Sequence, residues 1–543
     1  MTVTEASPDV VDAAVATPSA PPAAGVAALV GSGDPRTVGK LFVGTSLLFL
    51  LVSGAAGVLV GLERVDTSSV GVLTEGSVGQ VYALHTITAV FLVVVPLLLG
   101  LATAVVPLQV GAATVAFPRA SAAAYWVYLV SGGLVLAAFG LDGGPFGSDL
   151  DAVALFVVGF TALLVALTVA TVSVVTTVLT LRAPGMSLRR TPLFSWSILT
   201  AGTVWVLTFP VLAGLMVLAY VDLRWGPQFL GGSGGLYDRV GWVLWQPTLY
   251  AFAAPALGIV ADVVPVFAQR RHQRHATAMV LVGLFSALGF GAWAQLGASV
   301  DGSANPAPWL FEAPWVAVGF LAVVPVLGLL GLWTLTLGAG RPRVRGPLVC
   351  ALVAGLLLVV GVGAGAVTVI KSAHLDGTTW MSAQAYAVLI GTLVAALGGI
   401  AFWAPKLYGR LLPDGLVGLS AVLVLLGTLA VAVPYALAGV LDQPRFPVDA
   451  AERVASADVD TVELLNLVAA IGGIVVVVGL LAFLAALLRP RTGDAPGDDP
   501  WAGHTLEWAT SSPPPVGNFA ELPEITSEAP VYDARHAATE VAR

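Results

Sequence analysis

One histidine, His85, is the clear ionisable group inside about twelve long apolar runs of this chain. A polar ring among lipid-facing helices is expensive and marks a candidate site by default. What it could do depends on its partners. Polar side chains in or beside the runs include Gln246, Tyr250, Gln295, Gln384 and Tyr386. An amide is a weak ligand for copper or iron beside an imidazole, whereas a tyrosinate can hold ferric iron. His85 therefore points either to a ligand-holding site or to a hydrogen bond with a neighbouring helix.

The composition defines the elements that must carry these groups. Of 543 residues, 57% are hydrophobic and 10% charged, and the mean hydropathy is +0.91. That balance excludes a soluble fold and describes a polytopic membrane protein. Runs of 20 or more apolar residues cross a hydrocarbon core of roughly 30 Å as helices, which also satisfy their own backbone. Spans are expected near 39 to 62, 80 to 108, 121 to 141, 151 to 181, 194 to 221, 239 to 267, 276 to 297, 309 to 338, 347 to 370, 380 to 405, 416 to 441 and 462 to 488. The fold class is thus all-α, with twelve transmembrane helices. The lone Cys350 leaves neither a disulfide framework nor a thiolate cluster, and no nucleic-acid partner is expected.

Twelve spans place both termini on one side. Sixteen of the 24 Lys and Arg residues lie in the segments on that side, including Arg270, Arg271, Arg274, Arg341, Arg343 and Arg345, against six in the opposite loops. The positive-inside rule then makes both termini cytoplasmic, in a multi-pass cell (plasma) membrane protein. Residues 1–33, rich in Ala, Pro and Val, are expected to form a disordered tail; 34–489 form the membrane domain; 490–543 are expected to be extended or disordered, free to pack on the inner face.

Several strings at span ends are more specific. Val106-Pro107-Leu108-Gln109-Val110-Gly111-Ala112, Ala116-Phe117-Pro118-Arg119, Leu181-Arg182-Ala183-Pro184-Gly185-Met186 and Pro192-Leu193-Phe194-Ser195-Trp196-Ser197 resemble signatures of subunit I of the haem–copper oxidases, the cytochrome c oxidase family. So do Ile259 to Phe267, Phe402 to Arg410, and the tail strings Asp499-Pro500-Trp501, Thr505-Leu506-Glu507-Trp508 and Ser511 to Pro515. They fall in family order from about 34 to 525. The resemblance implies three arcs of four helices, two haems and one copper held by six histidines, electron transfer to dioxygen coupled to proton translocation in aerobic respiration, and partner subunits in the bilayer.

Five of those six positions are not histidine here. His85 resembles the low-spin haem ligand, but the haem ligands of the tenth helix fall on Gln384 and Tyr386. The copper positions fall on Gln246, Gln295 and Leu296, so no copper is expected. Tyr250 matches the tyrosine that the family links to a copper histidine, and with Gln246 opposite it that link cannot form; it also reads as a core tyrosine with a bonded hydroxyl. The proton-path positions read Thr103, Thr114, Thr248, Val326 and Leu329, none of which titrates in a relay. Arg445 matches one of two haem-propionate arginines, the second being Phe446, and also reads as a surface arginine. His272 and His275 read as surface residues of a basic loop, His374 as a loop residue outside any metal register, and His504 and His536 as tail residues.

Three functions follow. An active terminal oxidase is what the resemblance alone implies. A catalytically silent subunit, structural, assembly or regulatory, in a respiratory complex fits the loss of ligands beside the survival of loop strings. A protein that retains one haem, at His85 with Tyr386, or binds another ligand in the vacated cavities is the third. The second is preferred.

Overall fold

The computed structural model describes Gly25 and residues 29–66, 72–226, 236–292, 309–446, 458–489 and 496–541. Helices α1 to α6 span Pro35–Glu63, Glu75–Val110, Pro118–Gly140, Leu150–Thr180, Leu193–Trp225 and Thr248–Ala268. Helices α7 to α12 span His275–Leu288, Trp309–Ala339 with a break at Ala322, Gly346–Thr368, Thr379–Tyr408, Asp414–Val440 and Val459–Leu488. Among the described residues eleven helices are long and apolar enough to cross a membrane. The 14-residue α7 holds the seventh place.

Burial sorts these helices. The most apolar windows of α2, α6 and α10 are 94%, 94% and 89% buried, whereas the other spans lie between 39% and 61%. The innermost helices therefore recur every fourth element, as three arcs of four helices require. Helix α12 returns against α1, and α9 and α10 pack on α6. Phe91 of α2 meets Phe160, Phe209 and Phe252 at ring-centroid separations of 5.0, 6.2 and 6.0 Å, so a dry aromatic plug joins α2, α4, α5 and α6.

Local chemistry sets the helix ends. Asp34 caps α1 by accepting from Thr37 N at 3.0 Å, with Pro35 at the first helical position. Asp149 caps α4 through Asp151 N and Ala152 N. Within α2, Thr88–Val94 is π-helical, beginning three residues after His85. Such a widening changes the helical phase and so re-aims the side chains on either side of it.

Residues 496–541 fold back against the ends of the bundle, with an added helix, α13, over Pro530–Val541 that composition did not signal. Asn518 donates to Ala112 O at 2.8 Å, Trp501 Nε1 to Phe402 O at 2.9 Å, and Lys406 Nζ to Thr510 O at 2.6 Å. Arg271 pairs with Glu528 at 2.8 Å and Asp533 at 3.0 Å. Arg36 also donates to Pro514 O, which puts the start of α1 on this same face.

This docking is expected to loosen in acid. His504, 6% exposed, is held neutral by burial and by Arg535, His536 and Arg271, which depress its pKa to about 3. The undocked imidazole binds its proton first, so the stabilisation is complete above about pH 6.5 and falls as pH drops toward 3. At pH 5 the loss is about 2 kcal/mol from this group, at about 1.4 kcal/mol per pH unit. Hydrogen exchange of segment 500–535 should therefore accelerate between pH 7.5 and 5 beyond its intrinsic pH dependence, and less so in H504Q. Equal protection at both pH values would contradict this account.

Candidate functional site

Helices α6, α9 and α10 converge on a closed polar knot. Tyr250 lies one turn after Gln246, and its hydroxyl donates to Gln246 Oε1 at 2.7 Å. Gln384 Nε2 donates to the same oxygen at 2.6 Å and lies 3.1 Å from the Tyr250 hydroxyl. Thr368 Oγ1 completes the set by donating to Gln384 Oε1 at 3.3 Å. All four side chains are buried. The knot sits directly on Gly365, where a Cβ would lie 2.1 Å from the Tyr250 hydroxyl and 2.6 Å from Gln246 Oε1 and from Gln384 Nε2.

Chemically this knot is occupied on its acceptor side, whereas Gln246 Nε2 is buried without a hydrogen-bond partner among the described residues. Gln246 Oε1 already accepts two hydrogen bonds, the full capacity of an amide oxygen. Thr248, the first residue of α6, is buried with its hydroxyl unpartnered. Gln295 and Leu296 lie outside the described residues.

Residues 384 and 386 of α10 are about 200° apart around a helix, so they face opposite sides. Tyr386 therefore looks away from the knot, into a cleft between α1, α2, α10, α11 and α12 whose empty volume is about 1240 Å³, open mouth included. His85 lines the same cleft. Its Nδ1 lies 2.9 Å from Ser53 O, and Ser53 Oγ donates back to His85 O at 3.3 Å. Gly57 makes room for the ring, since a Cβ there would come within 2.6 Å of His85 Cε1. A carbonyl can only accept, so Nδ1 carries the proton and Nε2 keeps its lone pair, the state a metal-binding imidazole needs.

The cleft is mostly apolar but has polar groups without partners. Ser382 Oγ, Tyr82 Oη and Trp245 Nε1 all line it, are buried, and make no hydrogen bond among the described residues. Buried donors in this condition cost about 1–3 kcal/mol each and call for an acceptor. Arg64 lines the cleft too, with its guanidinium 5.5 Å from the Tyr435 ring centroid. Arg445 is half-buried, and its guanidinium stacks 4.2 Å from the Trp245 ring centroid.

The remaining sequence candidates do not join a site. Thr103 bonds back to Leu99 O at 2.7 Å, Val326 and Leu329 are buried apolar side chains of α8, Thr114 lies in the loop after α2, and His374 is an exposed loop residue. His272 and His275 depart from the surface reading. They line a small cavity with His504 and Glu528, and both ring nitrogens of His272 are buried without partners. Burial and His275 lower the His272 pKa to about 4. Among the described residues no group of three or more His, Cys, Asp and Glu is arranged to hold a metal.

One buried network was not anticipated. Gln109 Nε2 donates to Asp262 Oδ2 at 2.9 Å and to Glu507 Oε1 at 3.2 Å, tying α2, α6 and the C-terminal segment. Asp262 also accepts from Leu193 N at 3.0 Å and Phe194 N at 3.1 Å, which caps α5. The signal was present, because Gln109, Asp262 and Glu507 each fall within a quoted string, but nothing in one sequence joins residues nearly 400 positions apart.

The architecture has solved counterparts. A haem–copper terminal oxidase dimer, solved by cryo-electron microscopy, superposes with a TM-score of 0.68 over 85% of each chain at 15% identity, a likeness of fold. The family model described as Cytochrome C and Quinol oxidase polypeptide I matches residues 37–475. The chain belongs to that family. Among oxidase subunit I relatives, the putative cytochrome c oxidase subunit 1-beta of Streptomyces coelicolor is 30% identical over 534 residues, 93% of this chain and 89% of that protein. The probable subunit 1-beta of Nocardia farcinica is 30% identical over 94% of this chain and 88% of its own length. The cytochrome c oxidase subunit 1 of Bacillus subtilis is 27% identical over 93% and 82%. As a polypeptide I family member this is a multi-pass membrane protein, and its twelve-helix frame spans most of the length of these relatives.

Proposed function

We propose that this polypeptide I family member no longer reduces dioxygen and serves as a structural, assembly or regulatory subunit of a respiratory complex. The Gln246–Tyr250–Gln384 knot carries this reading. It includes Gln246, which matches one copper-ligand position, and Gln384, which matches the high-spin haem-ligand position, as amides bonded to each other and to a phenol. These residues do not fit a copper ion, whose imidazole ligands must present free lone pairs. Thr103, Thr114, Thr248, Val326 and Leu329 at the proton-path positions support the same conclusion, since a relay needs groups that titrate. The Lys/Arg bias supports a cell-membrane orientation with both termini cytoplasmic.

A specific observation favours a second feature, one retained haem. The cleft beside His85 has an empty volume of about 1240 Å³, open mouth included, and supplies a nitrogen with a free lone pair together with unpartnered donors. An iron tetrapyrrole with acidic side groups fits that donor set: His85 would hold the iron, while Arg64, Tyr82, Ser382 and Trp245 would meet the acidic groups.

The test is purification of the full chain from native membranes with metal, pyridine-haemochrome and protein analysis. The expected result is co-purified oxidase-type subunits, substoichiometric copper and no carbon-monoxide-reactive haem assignable to this chain. A stoichiometric copper with a carbon-monoxide-reactive haem would restore the active-oxidase reading, and the absence of every oxidase-type partner would remove the subunit role.

A further inference from the structure

We propose that the loops after α6 and α8 form a binding surface for an anionic membrane phospholipid, its phosphate held by Arg270, Arg274, Arg341 and Arg343 and its acyl chains laid on α7 and α8. The inference goes beyond the subunit role and does not depend on it.

The two loops are clipped together. Arg341 N and Arg343 N donate to Ala268 O and Phe267 O, in the last turn of α6, at 3.0 and 2.8 Å. Arg270 Nε donates to Ala339 O, at the end of α8, at 2.9 Å. Gln269, in the left-handed conformation that ends α6, accepts through its side-chain oxygen from Arg343 Nε and Nη2 at 3.0 and 2.8 Å. Arginines of both loops are thereby held beside one another.

What they lack is a counter-charge. Arg270, Arg274, Arg341 and Arg343 are all exposed, and among the described residues no carboxylate pairs with any of them. Arg271, between the first two in the chain, holds Glu528 and Asp533 instead, and Arg345 lies 3.8 Å from Asp414. Like charges fixed in neighbouring loops repel, so an anion that bridges them is stabilising. A guanidinium fork binds two phosphate oxygens at once. The topology rule asks only for basic residues on one side of the membrane; it does not ask for bonds that hold them together.

The surroundings point to a lipid. Val344, 73% exposed, stands between Arg343 and Arg345, an apolar side chain suited to the headgroup boundary. Helices α7 and α8 carry exposed Val280, Leu284, Leu327 and Leu335 within about four turns of the arginines. On α8, Gly331 and Gly338 share the side of Leu327 and Leu335 by helical spacing, and a Cβ at either glycine meets nothing within 4 Å. Phosphate and acyl chains therefore find adjoining places, of which a soluble phosphate would use only the first.

The experiment takes the full chain, purified and stripped of lipid, into nanodiscs of mixed phosphatidylcholine and phosphatidylglycerol. Retained lipids are identified by native mass spectrometry, and affinity is read with fluorescent phosphatidylglycerol. Wild type should retain phosphatidylglycerol in preference to phosphatidylcholine and release it at high salt. Each basic group beside an anionic headgroup contributes about fivefold in affinity, so R270Q/R274Q/R341Q/R343Q should weaken binding by about tenfold or more. R270K/R274K/R341K/R343K keeps the charge and the topology but not the forks, and should fall between the two. R189Q, which removes an exposed arginine from the loop between α4 and α5, should bind as wild type does. Wild type with no preference for phosphatidylglycerol, or binding unchanged in the glutamine variant, overturns the proposal. Displacement by inorganic phosphate as effective as by lipid would make this a free-anion site, and tighter capture of a polyglutamate peptide would assign it to an acidic protein segment; either result also overturns it.

Discussion

Replacing Gly365 by alanine is expected to destabilise the protein by about 3–5 kcal/mol, although only one methyl group is added and the residue lies inside a helix where alanine is ordinarily preferred. The added Cβ would sit 2.1 Å from the Tyr250 hydroxyl and 2.6 Å from the interacting atoms of Gln246 and Gln384. None of these atoms can move without breaking a buried hydrogen bond, and each polar group stranded that way costs about 1–3 kcal/mol. Thermal and SDS unfolding in detergent would measure the loss. Gly363→Ala, where a Cβ meets nothing within 4 Å, should be neutral. Adding Tyr250→Phe to Gly365→Ala should recover part of the loss, since the nearest clashing atom is removed and the pair is coupled. A Gly365→Ala protein as stable as Gly363→Ala would show that the knot is not packed as described.

The second large effect concerns Asp262. Asp262→Ala strands the amides of Leu193 and Phe194 at the start of α5 and one proton of the Gln109 side chain. A buried donor left without its acceptor costs about 1–3 kcal/mol, so a loss of about 3–5 kcal/mol is expected for the three together after relaxation. Glu507→Gln should behave in the opposite way. Glu507 shares the Gln109 amide with Asp262, its Oε2 is buried without a partner, and burial raises its pKa. A raised carboxyl pKa means that the folded state keeps its proton longer than the unfolded one. Its contribution is therefore complete below about pH 4.5 and is lost as pH rises through the folded value. An amide copies the protonated acid, so Glu507→Gln should match or exceed wild type at pH 7.5 and weaken the stability loss toward high pH. Equal damage from Glu507→Gln and Asp262→Ala would mean that Glu507 works as an anion.

Much of the frame was legible because bilayer-spanning length and apolarity are written locally. The runs near 80 to 108 and 239 to 267 became α2 and α6, and the quoted strings lie at helix ends, where Gly111, Gln269 and Gly409 adopt left-handed conformations that stop helices. What escaped were features set by tertiary packing. The π-helical stretch after His85 has the same apolar character as the α-helix around it. Ligand identities could be compared one by one, but not the way Gln246 and Gln384, 138 residues apart, bond to each other while the neighbouring cleft stays open. The proline-rich C-terminal segment lacked periodicity because its partners lie elsewhere, on Gln109, Ala112, Phe402 and Lys406.

That segment also imposes an order on biogenesis. Glu507 and Asn518 bond to residues 398 and 406 positions earlier, at the end of α2 and in the loop that follows it. A ribosome therefore inserts every membrane helix before the groups that seal Gln109 and Asp262 emerge. Until the segment bearing Glu507 and Asn518 emerges, those side chains await their partners, and a chain truncated before Glu507 would display an unsealed polar surface to the quality-control proteases of the membrane. Docking of that segment becomes a late checkpoint of assembly.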